Sequence, residues 1–258
     1  MTYTATEMMT VAAARALTND DVCFVGIGLP SAACNLARLT HAPRLKLIYE
    51  SGTLETKPDV LPLSIGDGEL CDTALTTVSV PEMFQYWLQG GRISVGFLGG
   101  AQVDRFGNLN STVIGDYASP TVRLPGSGGA SEIATACQRI FIVMKQSRRT
   151  FVERLAFMTT LGHGQTGRER RSYGVTTEGP VLLVTDLCIM RPHPETNEMR
   201  VVSLHPGITR ESVIAEAGWP LLFADDVDES PAPTETELLA LRELRARTAR
   251  AHGVAATE

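Results

Sequence analysis

The feature that most constrains this sequence is a repeated order of apolar runs, glycine-containing loops and helix-compatible segments. Residues 22–39, VCFVGIGLPSAACNLARL, show it once: an apolar run, a glycine loop, and Pro30 at the start of small and apolar residues. Further apolar runs occupy residues 45–49, 92–98, 139–144 and 180–186. Strands that are apolar throughout and alternate with helices indicate an α/β protein with an open, largely parallel sheet flanked by helices.

Helix signals and loop composition predict how the chain is organised. A first helix begins at Thr4, because Glu7 stands three residues later in capping-box spacing. Residues 53–72 are rich in Pro, Gly and Asp and predict irregular structure, and a further helix is expected over residues 81–89. No linker is long enough to force a boundary, so we expect a single domain over residues 1–258, with the last ~6 residues frayed.

Composition excludes several classes of partner. The chain has 23 Lys and Arg against 29 Asp and Glu, and a net charge of −6 argues against nucleic acid or an anionic membrane surface. No apolar run approaches the ~18 residues that span a bilayer, and the N-terminus lacks a secretory signal pattern. The five cysteines have no CxxC spacing, which predicts reduced and mostly buried thiols. We therefore expect a cytoplasmic protein without membrane association.

Four glycine-containing loops follow predicted strands or precede predicted helices, where ligands gather in parallel sheets: residues 26–30, 50–52, 99–104 and 126–131. None completes a GxGxxG or GxxxxGK[ST] motif, and the chain has no HExxH and no GxSxG. No His and Cys cluster has metal-ligand spacing, so no metal site is expected. The dispersed histidines are predicted to be surface or loop residues: His41, His163, His193, His205 and His252.

An acid remains among these loops. Glu50 directly follows the apolar run 45–49, at the expected end of a strand. Taken alone, it is explained at least as well by a solvated or helix-capping acid. However, a carboxylate can itself be a covalent nucleophile when backbone N–H groups stabilise the oxyanion formed by its attack on an acyl group. Combined with the four loops, this pattern favours a catalytic Glu50.

Three motifs carry a resemblance to a known family: IYESG (48–52), LGGAQVDRFGNLNSTVIGDY (98–117) and LPGSGGASEIA (124–134). In this order and spacing they resemble the beta subunits of the class I CoA-transferases, and among them that of glutaconate CoA-transferase. The resemblance implies the beta-subunit fold of that family and CoA transfer to a carboxylic acid, with coenzyme A as a substrate and no tightly bound cofactor. It also implies a ping-pong mechanism through a glutamyl-CoA thioester on Glu50.

The same resemblance implies a partner and a set of binding residues. The partner is a homologous alpha subunit, so a hetero-oligomer is expected, with the site at the interface. The residues that match the family's oxyanion and acyl-CoA-binding loops are Gly26, Gly28, Gly52, Gly99, Gly100, Ala101, Gln102, Gly126, Ser127, Gly128, Gly129 and Ala130.

Two alternatives share this resemblance. One is a hydrolase of the same fold that cleaves ring carbon–carbon bonds of CoA thioesters, and the other is a noncatalytic CoA-binding subunit. The resemblance implies that the beta subunit of the hydrolase lacks an acid at this position, so Glu50 favours transfer. The basic residues expected either to bind the phosphates of CoA or to form a solvated surface are Lys145, Arg148, Arg149, Arg168, Arg170 and Arg171.

Overall fold

A computed structural model describes residues 2–253 of the chain. The helices are α1 (Ala5–Arg15), α2 (Leu29–Leu39), α3 (Gly68–Asp72), α4 (Val80–Glu82), α5 (Ala130–Ala136), α6 (Glu169–Ser172), α7 (Arg210–Ala215) and α8 (Glu235–His252), and a π-helix covers Met83–Leu88. The strands are β1 (Val22–Phe24), β2 (Lys46–Ile48), β3 (Thr53–Leu54), β4 (Thr76–Thr77), β5 (Val95–Leu98), β6 (Gln102–Val103), β7 (Leu109–Asn110), β8 (Val113–Gly115), β9 (Pro120–Arg123), β10 (Arg139–Val143), β11 (Gly179–Val184), β12 (Cys188–Pro192), β13 (Met199–Leu204) and β14 (Leu222–Glu229).

The chain divides into two compact units. The first contains the residues up to Phe97 and those from Ala232 on, and the second runs from Leu98 to Pro231. The prediction of a single domain stays a prediction beside this division. The predicted fraying of the last residues falls mainly on residues 254–258, which lie outside the described residues.

The first unit contains a sheet with the strand order β5-β1-β2-β3-β4. Strand β1 pairs in parallel with both β2 and β5, while β3 is antiparallel to β2 and to β4. Helix α1 begins where the sequence predicts, because Thr4 and Glu7 form a reciprocal capping box. Ion pairs join α1 to α8: Arg15 to Glu237 at 2.7 Å, and Arg242 to Glu7 at 2.7 Å.

The second unit contains strands in the order β14-β13-β12-β11-β10. Strand β10 is parallel to β11 and β13 is parallel to β14, whereas β12 is antiparallel to both of its neighbours. Two hairpins stand apart, β6 with β7 and β8 with β9. The predicted α/β class with parallel pairing and accompanying helices is confirmed, and antiparallel pairs extend the strands of each unit.

Two local predictions need correction. Residues 53–72 are not wholly irregular, because they contain β3 and α3. The predicted helix at 81–89 is present, but most of it is a π-helix. The prediction of mostly buried thiols is confirmed, since all five cysteines are free, four of them are buried and only Cys71 is exposed.

Candidate active site

Glu50 lies in a tight turn between β2 and β3 in the first unit. The Gly52 N–H donates to the Tyr49 carbonyl at 3.0 Å, and the Tyr49 N–H donates to the Thr53 carbonyl at 3.2 Å. Gly52 has φ +101°, and a Cβ atom there would overlap the carbonyl oxygen of Val78. The turn therefore requires glycine at position 52, and it fixes the backbone on which Glu50 stands.

The carboxylate of Glu50 has no partner among the residues that the structure describes. Its side chain is half-buried, and within residues 2–253 it forms neither a hydrogen bond nor an ion pair. Other partly buried acids of the first unit are paired, as Glu7 is with Arg242 and Glu237 with Arg15. Glu50 therefore neither caps a helix nor completes an ion pair, and its oxygens are available to a ligand.

Tyr49 anchors this turn to helix α2. Its hydroxyl lies 2.8 Å from the Ser31 Oγ atom, and both residues are fully buried. Burial raises the pKa of Tyr49, so its phenol stays neutral. Asn35 donates its side-chain N–H to the Ser31 carbonyl at 2.9 Å. Sequence reasoning missed this anchor, although Tyr49 directly precedes Glu50 in IYESG.

The loop 26–30 leaves the same sheet edge as Glu50. Strand β1 is parallel to β2, with Phe24 opposite Ile48, so the loop after β1 and the turn after β2 both follow carboxyl ends. Gly28 precedes α2 with φ +81°, a conformation that favours glycine. Gly26 is not required sterically, because a Cβ atom there would meet Pro30 at 3.8 Å, an ordinary contact.

Two hydroxyl groups close to Glu50 in sequence are buried without a partner among the described residues. Neither the Ser51 Oγ atom nor the Thr53 Oγ1 atom forms a hydrogen bond within the described chain. Buried polar atoms are normally paired, so these hydroxyls are candidates for contact with a bound molecule.

In the second unit, the segment 99–102 is held by strand β7. The Ala101 N–H donates to the Asn110 carbonyl at 2.8 Å. A Cβ atom at Gly100 would lie 3.1 Å from that same carbonyl oxygen, and one at Gly99 would lie 3.3 Å from the Val143 carbonyl. Close backbone approach therefore favours glycine at both positions.

Of the two polar groups of the Gln102 side chain, only the oxygen forms hydrogen bonds within the described residues. Its Oε1 atom accepts from the Asn110 Nδ2 atom at 2.8 Å and from the Ala156 N–H at 3.3 Å. These bonds fix the orientation of the amide group. Its NH₂ group donates to no acceptor within the described residues and is free to donate to a ligand.

The loop 126–130 presents backbone N–H groups to solvent. Gly126 has φ +103° and Gly128 has φ +48°, and no atom outside the glycine and its two adjoining residues lies within 4 Å of a Cβ atom built at either. In the part of the chain that the structure describes, the N–H groups of Ser127, Gly128 and Gly129 donate to no acceptor. The Ser127 hydroxyl lies 3.0 Å from that of Ser131. This loop can therefore donate several N–H groups to one anionic oxygen.

Two adjacent residues connect the loops of the second unit. Asn110 holds the segment 99–102 through its carbonyl and its side-chain amide. Ser111 forms two hydrogen bonds with Gly126. Its carbonyl accepts from the Gly126 N–H at 2.8 Å, and its Oγ atom donates to the Gly126 carbonyl at 2.8 Å. The predicted residues of this unit are therefore brought together through Asn110 and Ser111, which sequence reasoning did not single out.

The family is established by comparison with known proteins. Residues 6–216 match the family model described as Coenzyme A transferase. The chain belongs to the Coenzyme A transferase family. The glycine loops and Glu50 are thus features of a member of this family, as the motifs predicted.

Relatives define the type of subunit. The chain is 63% identical to the beta subunit of 3-oxoadipate CoA-transferase from Pseudomonas knackmussii, covering 97% of this chain and 96% of that one. It is 35% identical to the beta subunit of glutaconate CoA-transferase from Acidaminococcus fermentans, covering 92% and 91%. The crystal structure of that glutaconate CoA-transferase matches with a TM-score of 0.88 at 32% identity, over 93% of this chain and 94% of the other. The prediction of a CoA-transferase of the beta-subunit type is confirmed.

A more distant relative bears on the predicted alternative. The chain is 26% identical to the IpdB subunit of a cholesterol ring-cleaving hydrolase from Mycobacterium bovis, covering 83% of this chain and 82% of that one. This identity is well below that to either CoA-transferase subunit. The hydrolase alternative is therefore not favoured.

Arg170 cannot bind a CoA phosphate in this CoA-transferase chain. It is buried, and each of its five N–H groups donates to a protein oxygen: the Thr177, Leu161, Gly162 and Ala134 carbonyls and the Thr177 hydroxyl. Burial lowers its pKa to about 10, so it remains charged at neutral pH. The prediction of a phosphate contact at Arg170 is wrong, because this side chain instead joins α5 to the segment before β11.

The other basic candidates remain on the surface. The Arg148 Nε atom donates to the Ala215 carbonyl at 2.8 Å, and Lys145 and Arg149 are exposed. Arg168 and Arg171 line a cavity of about 420 Å³, but Glu178 and Glu195 line it too. A phosphate site at these residues stays a prediction.

Two of the histidines predicted to be surface or loop residues lie in loops but are buried. His163 is 5% exposed and His205 is 2% exposed, and burial lowers the pKa of both. Each ring donates or accepts within the protein, His163 with the Pro180 carbonyl and His205 with the Thr185 carbonyl. Within residues 2–253, no group of three His, Cys, Asp or Glu residues could hold a metal ion, and no helix is long and apolar enough to cross a membrane.

Proposed function

We propose that this chain is the glutamate-bearing subunit of a heteromeric CoA-transferase, with Glu50 as the covalent nucleophile. The observation that carries the proposal is the unpartnered carboxylate of Glu50 on a turn fixed by Gly52 and Tyr49. A carboxylate attacks in its ionised form and needs no general base to remove a proton from it. It needs a fixed position and donors for the oxyanion that forms when it attacks.

The proposed exchange proceeds through Glu50 in two halves. The Glu50 carboxylate attacks the thioester carbonyl carbon of the acyl-CoA. The CoA thiolate departs, and the acyl group stays bound to Glu50 as a mixed anhydride. The thiolate then attacks the Glu50 carbonyl of that anhydride, which gives a glutamyl-CoA thioester and releases the first acid. The carboxylate of a second acid then attacks the glutamyl-CoA thioester, which releases the CoA thiolate and forms a new mixed anhydride with Glu50. The thiolate attacks the acyl carbonyl of the second acid in that anhydride, which releases the new acyl-CoA and restores the Glu50 carboxylate. Bonds and charges balance without a metal or a redox cofactor, and coenzyme A enters only as a substrate.

The proposed oxyanion and acyl-CoA-binding groups are the glycine loops and their neighbours. The N–H groups of Ser127, Gly128 and Gly129 are the best candidates for donors, because they have no protein acceptor among the described residues and lie in an open loop. The residues proposed to line the acyl and pantetheine pocket are Gly26, Gly28, Gly52, Gly99, Gly100, Ala101, Gln102, Gly126 and Ala130. Removal of one oxyanion donor typically lowers turnover about 100- to 1,000-fold.

The acid substrates are proposed to be short dicarboxylates, of which 3-oxoadipate is one. Support comes from the names of two relatives, which specify 3-oxoadipate at 63% identity and glutaconate at 35% identity. Both acids carry a second carboxylate far from the acyl carbon. Initial rates with two varied substrates should give the parallel lines of a ping-pong exchange.

The partner is proposed to be a homologous alpha subunit. Each of the two relatives is one subunit of its CoA-transferase, which supports a hetero-oligomer. In the proposal this assembly is cytoplasmic, and the partner completes the acyl pocket. We expect the isolated chain to be inactive and activity to return when a homologous alpha subunit is added. Full transferase activity of the single purified chain would contradict this proposal.

The deciding experiment targets Glu50. Glu50→Gln keeps the size of the side chain and removes the nucleophile, so the assembled enzyme should lose CoA exchange and the covalent adduct. After incubation with acyl-CoA, borohydride should reduce the wild-type glutamyl thioester to an alcohol that peptide mass analysis finds at Glu50. The matched control is Glu55→Gln, since Glu55 forms a surface ion pair with Lys46 at 3.2 Å and should not affect transfer. Near wild-type transfer by Glu50→Gln would sink the mechanism, and CoA release without an acceptor would favour the hydrolase.

A further inference from the structure

A second cavity lies in the second unit, on the segment that follows Phe151. It has a volume of about 750 Å³, within the range of small-molecule sites. One wall is the continuous segment 153–158, and the other is formed by residues 104–106 with Gln165. Leu155, Phe157 and Met158 give the first wall an apolar character.

The charged groups that line this cavity are compensated, with one exception. Arg105 forms ion pairs with Glu153 at 3.5 Å and with Glu198 at 3.7 Å. The Asp104 carboxylate accepts from the Phe106 N–H at 3.0 Å and from the Asn108 Nδ2 atom at 2.8 Å. Arg154 is exposed and forms no ion pair or hydrogen bond within residues 2–253. Its guanidinium is therefore the charge in this cavity that a ligand can neutralise.

The wall that carries Arg154 is attached to the predicted acyl site. The Ala156 N–H donates to the Gln102 Oε1 atom at 3.3 Å, and Gln102 belongs to the segment 99–102. Two residues of chain span at most ~7 Å, so Arg154 stands within that distance of Ala156. A chain of four to six carbons can therefore extend from the neighbourhood of Gln102 to Arg154.

We infer that Arg154 binds the distal carboxylate of a dicarboxylic acyl group, and that the apolar wall contacts its methylene groups. This inference rests on the proposed function, because it identifies the substrate class of the same site. A guanidinium recognises a carboxylate through paired N–H donors, whereas a monocarboxylic acid of the same length offers it only a methyl group. Arg154 thus determines specificity and does not take part in the covalent steps.

The experiment compares two acceptors of equal length in the assembled enzyme: 3-oxoadipate, and 3-oxohexanoate, which lacks the distal carboxylate. Arg154→Gln should lower kcat/KM for 3-oxoadipate about 10- to 100-fold, mainly through KM, and leave 3-oxohexanoate unchanged. Arg154→Lys should restore part of the loss. The control is Arg191→Gln, which removes an exposed charge of the same unit that does not line the cavity.

The outcomes separate this inference from the proposed function. Equal losses for both acids, or no loss for 3-oxoadipate, would overturn the role of Arg154 while CoA transfer by the wild type stands. If the wild type transfers CoA to neither acid, the proposed function fails. In that case, calorimetry of the two acids with wild type and with Arg154→Gln tests separately whether Arg154 binds the distal carboxylate. The role of Arg154 is overturned if the substitution does not weaken the binding of 3-oxoadipate.

Discussion

The hydroxyl of Tyr49 lies 2.8 Å from the Oγ atom of Ser31, and this buried hydrogen bond ties the residue before Glu50 to the first turn of α2. The Tyr49 carbonyl also accepts from the Gly52 N–H. Tyr49 therefore fixes the turn in two ways, through its side chain, which bonds to α2, and through its backbone, which bonds within the turn. The position of the Glu50 carboxylate thus depends on a residue that takes no part in the proposed chemistry.

Tyr49→Phe is expected to separate positioning from chemistry. The substitution keeps the ring in its buried place and removes one hydrogen bond, which should lower the free energy of unfolding by about 1 kcal/mol. We expect kcat to fall several-fold with a smaller change in KM, since the turn is less fixed but still present. Urea unfolding and initial rates measure both effects. Tyr86→Phe, at an exposed tyrosine, is the control, and equal behaviour of the two variants would contradict the anchoring role.

Gly52→Ala and Gly126→Ala form a matched pair. Their φ values are +101° and +103°, so alanine is strained at both by about 1–3 kcal/mol. Only at position 52 does the new Cβ atom also meet backbone, the Val78 carbonyl. We therefore expect Gly52→Ala to lower the free energy of unfolding by at least ~1 kcal/mol more than Gly126→Ala. Similar urea midpoints for both variants would show that the turn can move away from Val78.

Ser51 and Ser31 should respond differently to removal of the hydroxyl. The Ser51 hydroxyl is buried without a partner in the described part of the chain, so Ser51→Ala should leave the free energy of unfolding within about 0.5 kcal/mol of wild type or raise it. Ser31→Ala breaks the bond to Tyr49 and should cost about 1 kcal/mol. Thermal unfolding of the two variants checks this. A larger loss at Ser51 than at Ser31 would mean that the Ser51 hydroxyl has a protein partner.

Much of the fold could be predicted because its signals are local. The capping box of Thr4 and Glu7, the apolar runs and the glycine loops each occupy a few consecutive residues. Strand β3 and helix α3 were missed because they contain only two and five residues, too few for a periodic pattern. Glycine or proline stands next to His163 and to His205 in sequence, which indicates a loop, and the carbonyl groups that bond their buried rings lie 17 and 20 residues away.

The candidate site could be predicted only in part for the same reason. Glu50 and the glycine loops are recognisable motifs, so the sequence predicts which residues would face a substrate. The groups that hold them are not, because Ser31 is 18 residues from Tyr49 and Ser111 is 15 residues from Gly126. Nothing in the local composition of NLNST distinguishes a structural connection from an ordinary polar loop.

The stability of the protein should fall in mildly acidic solution, partly through His205. The His205 Nε2 atom lies 2.9 Å from the Thr185 carbonyl, and burial lowers its pKa. The unfolded chain, with a pKa near ~6.5, therefore binds the proton more readily than the folded protein. This contribution to stability is complete above the unfolded pKa and is lost as the pH falls through the lowered folded pKa. His205→Gln should flatten the dependence of urea midpoints on pH below about 6.5, whereas the exposed control His41→Gln should not. An unchanged slope in His205→Gln would assign the acid sensitivity to other groups, of which His163 is the first candidate.

The last prediction concerns Ser111, which holds Gly126 in the loop 126–130. Ser111→Ala removes the bond from Oγ to the Gly126 carbonyl but keeps the backbone bond from the Gly126 N–H, so the loop 126–130 should remain folded yet less fixed. If this loop supplies the oxyanion donors, displacement of its N–H groups should weaken binding of the transition state more than binding of the substrate. We expect kcat to fall about 10- to 100-fold with KM for acyl-CoA changed by less than about threefold, and the rate of Glu50 adduct formation to fall in parallel. Ser111→Thr keeps the hydroxyl and should recover most of the activity. The control is Ser172→Ala, since the exposed Ser172 hydroxyl donates to the Glu169 carbonyl within helix α6. A rise in KM with an unchanged kcat would instead assign the loop 126–130 to substrate binding alone.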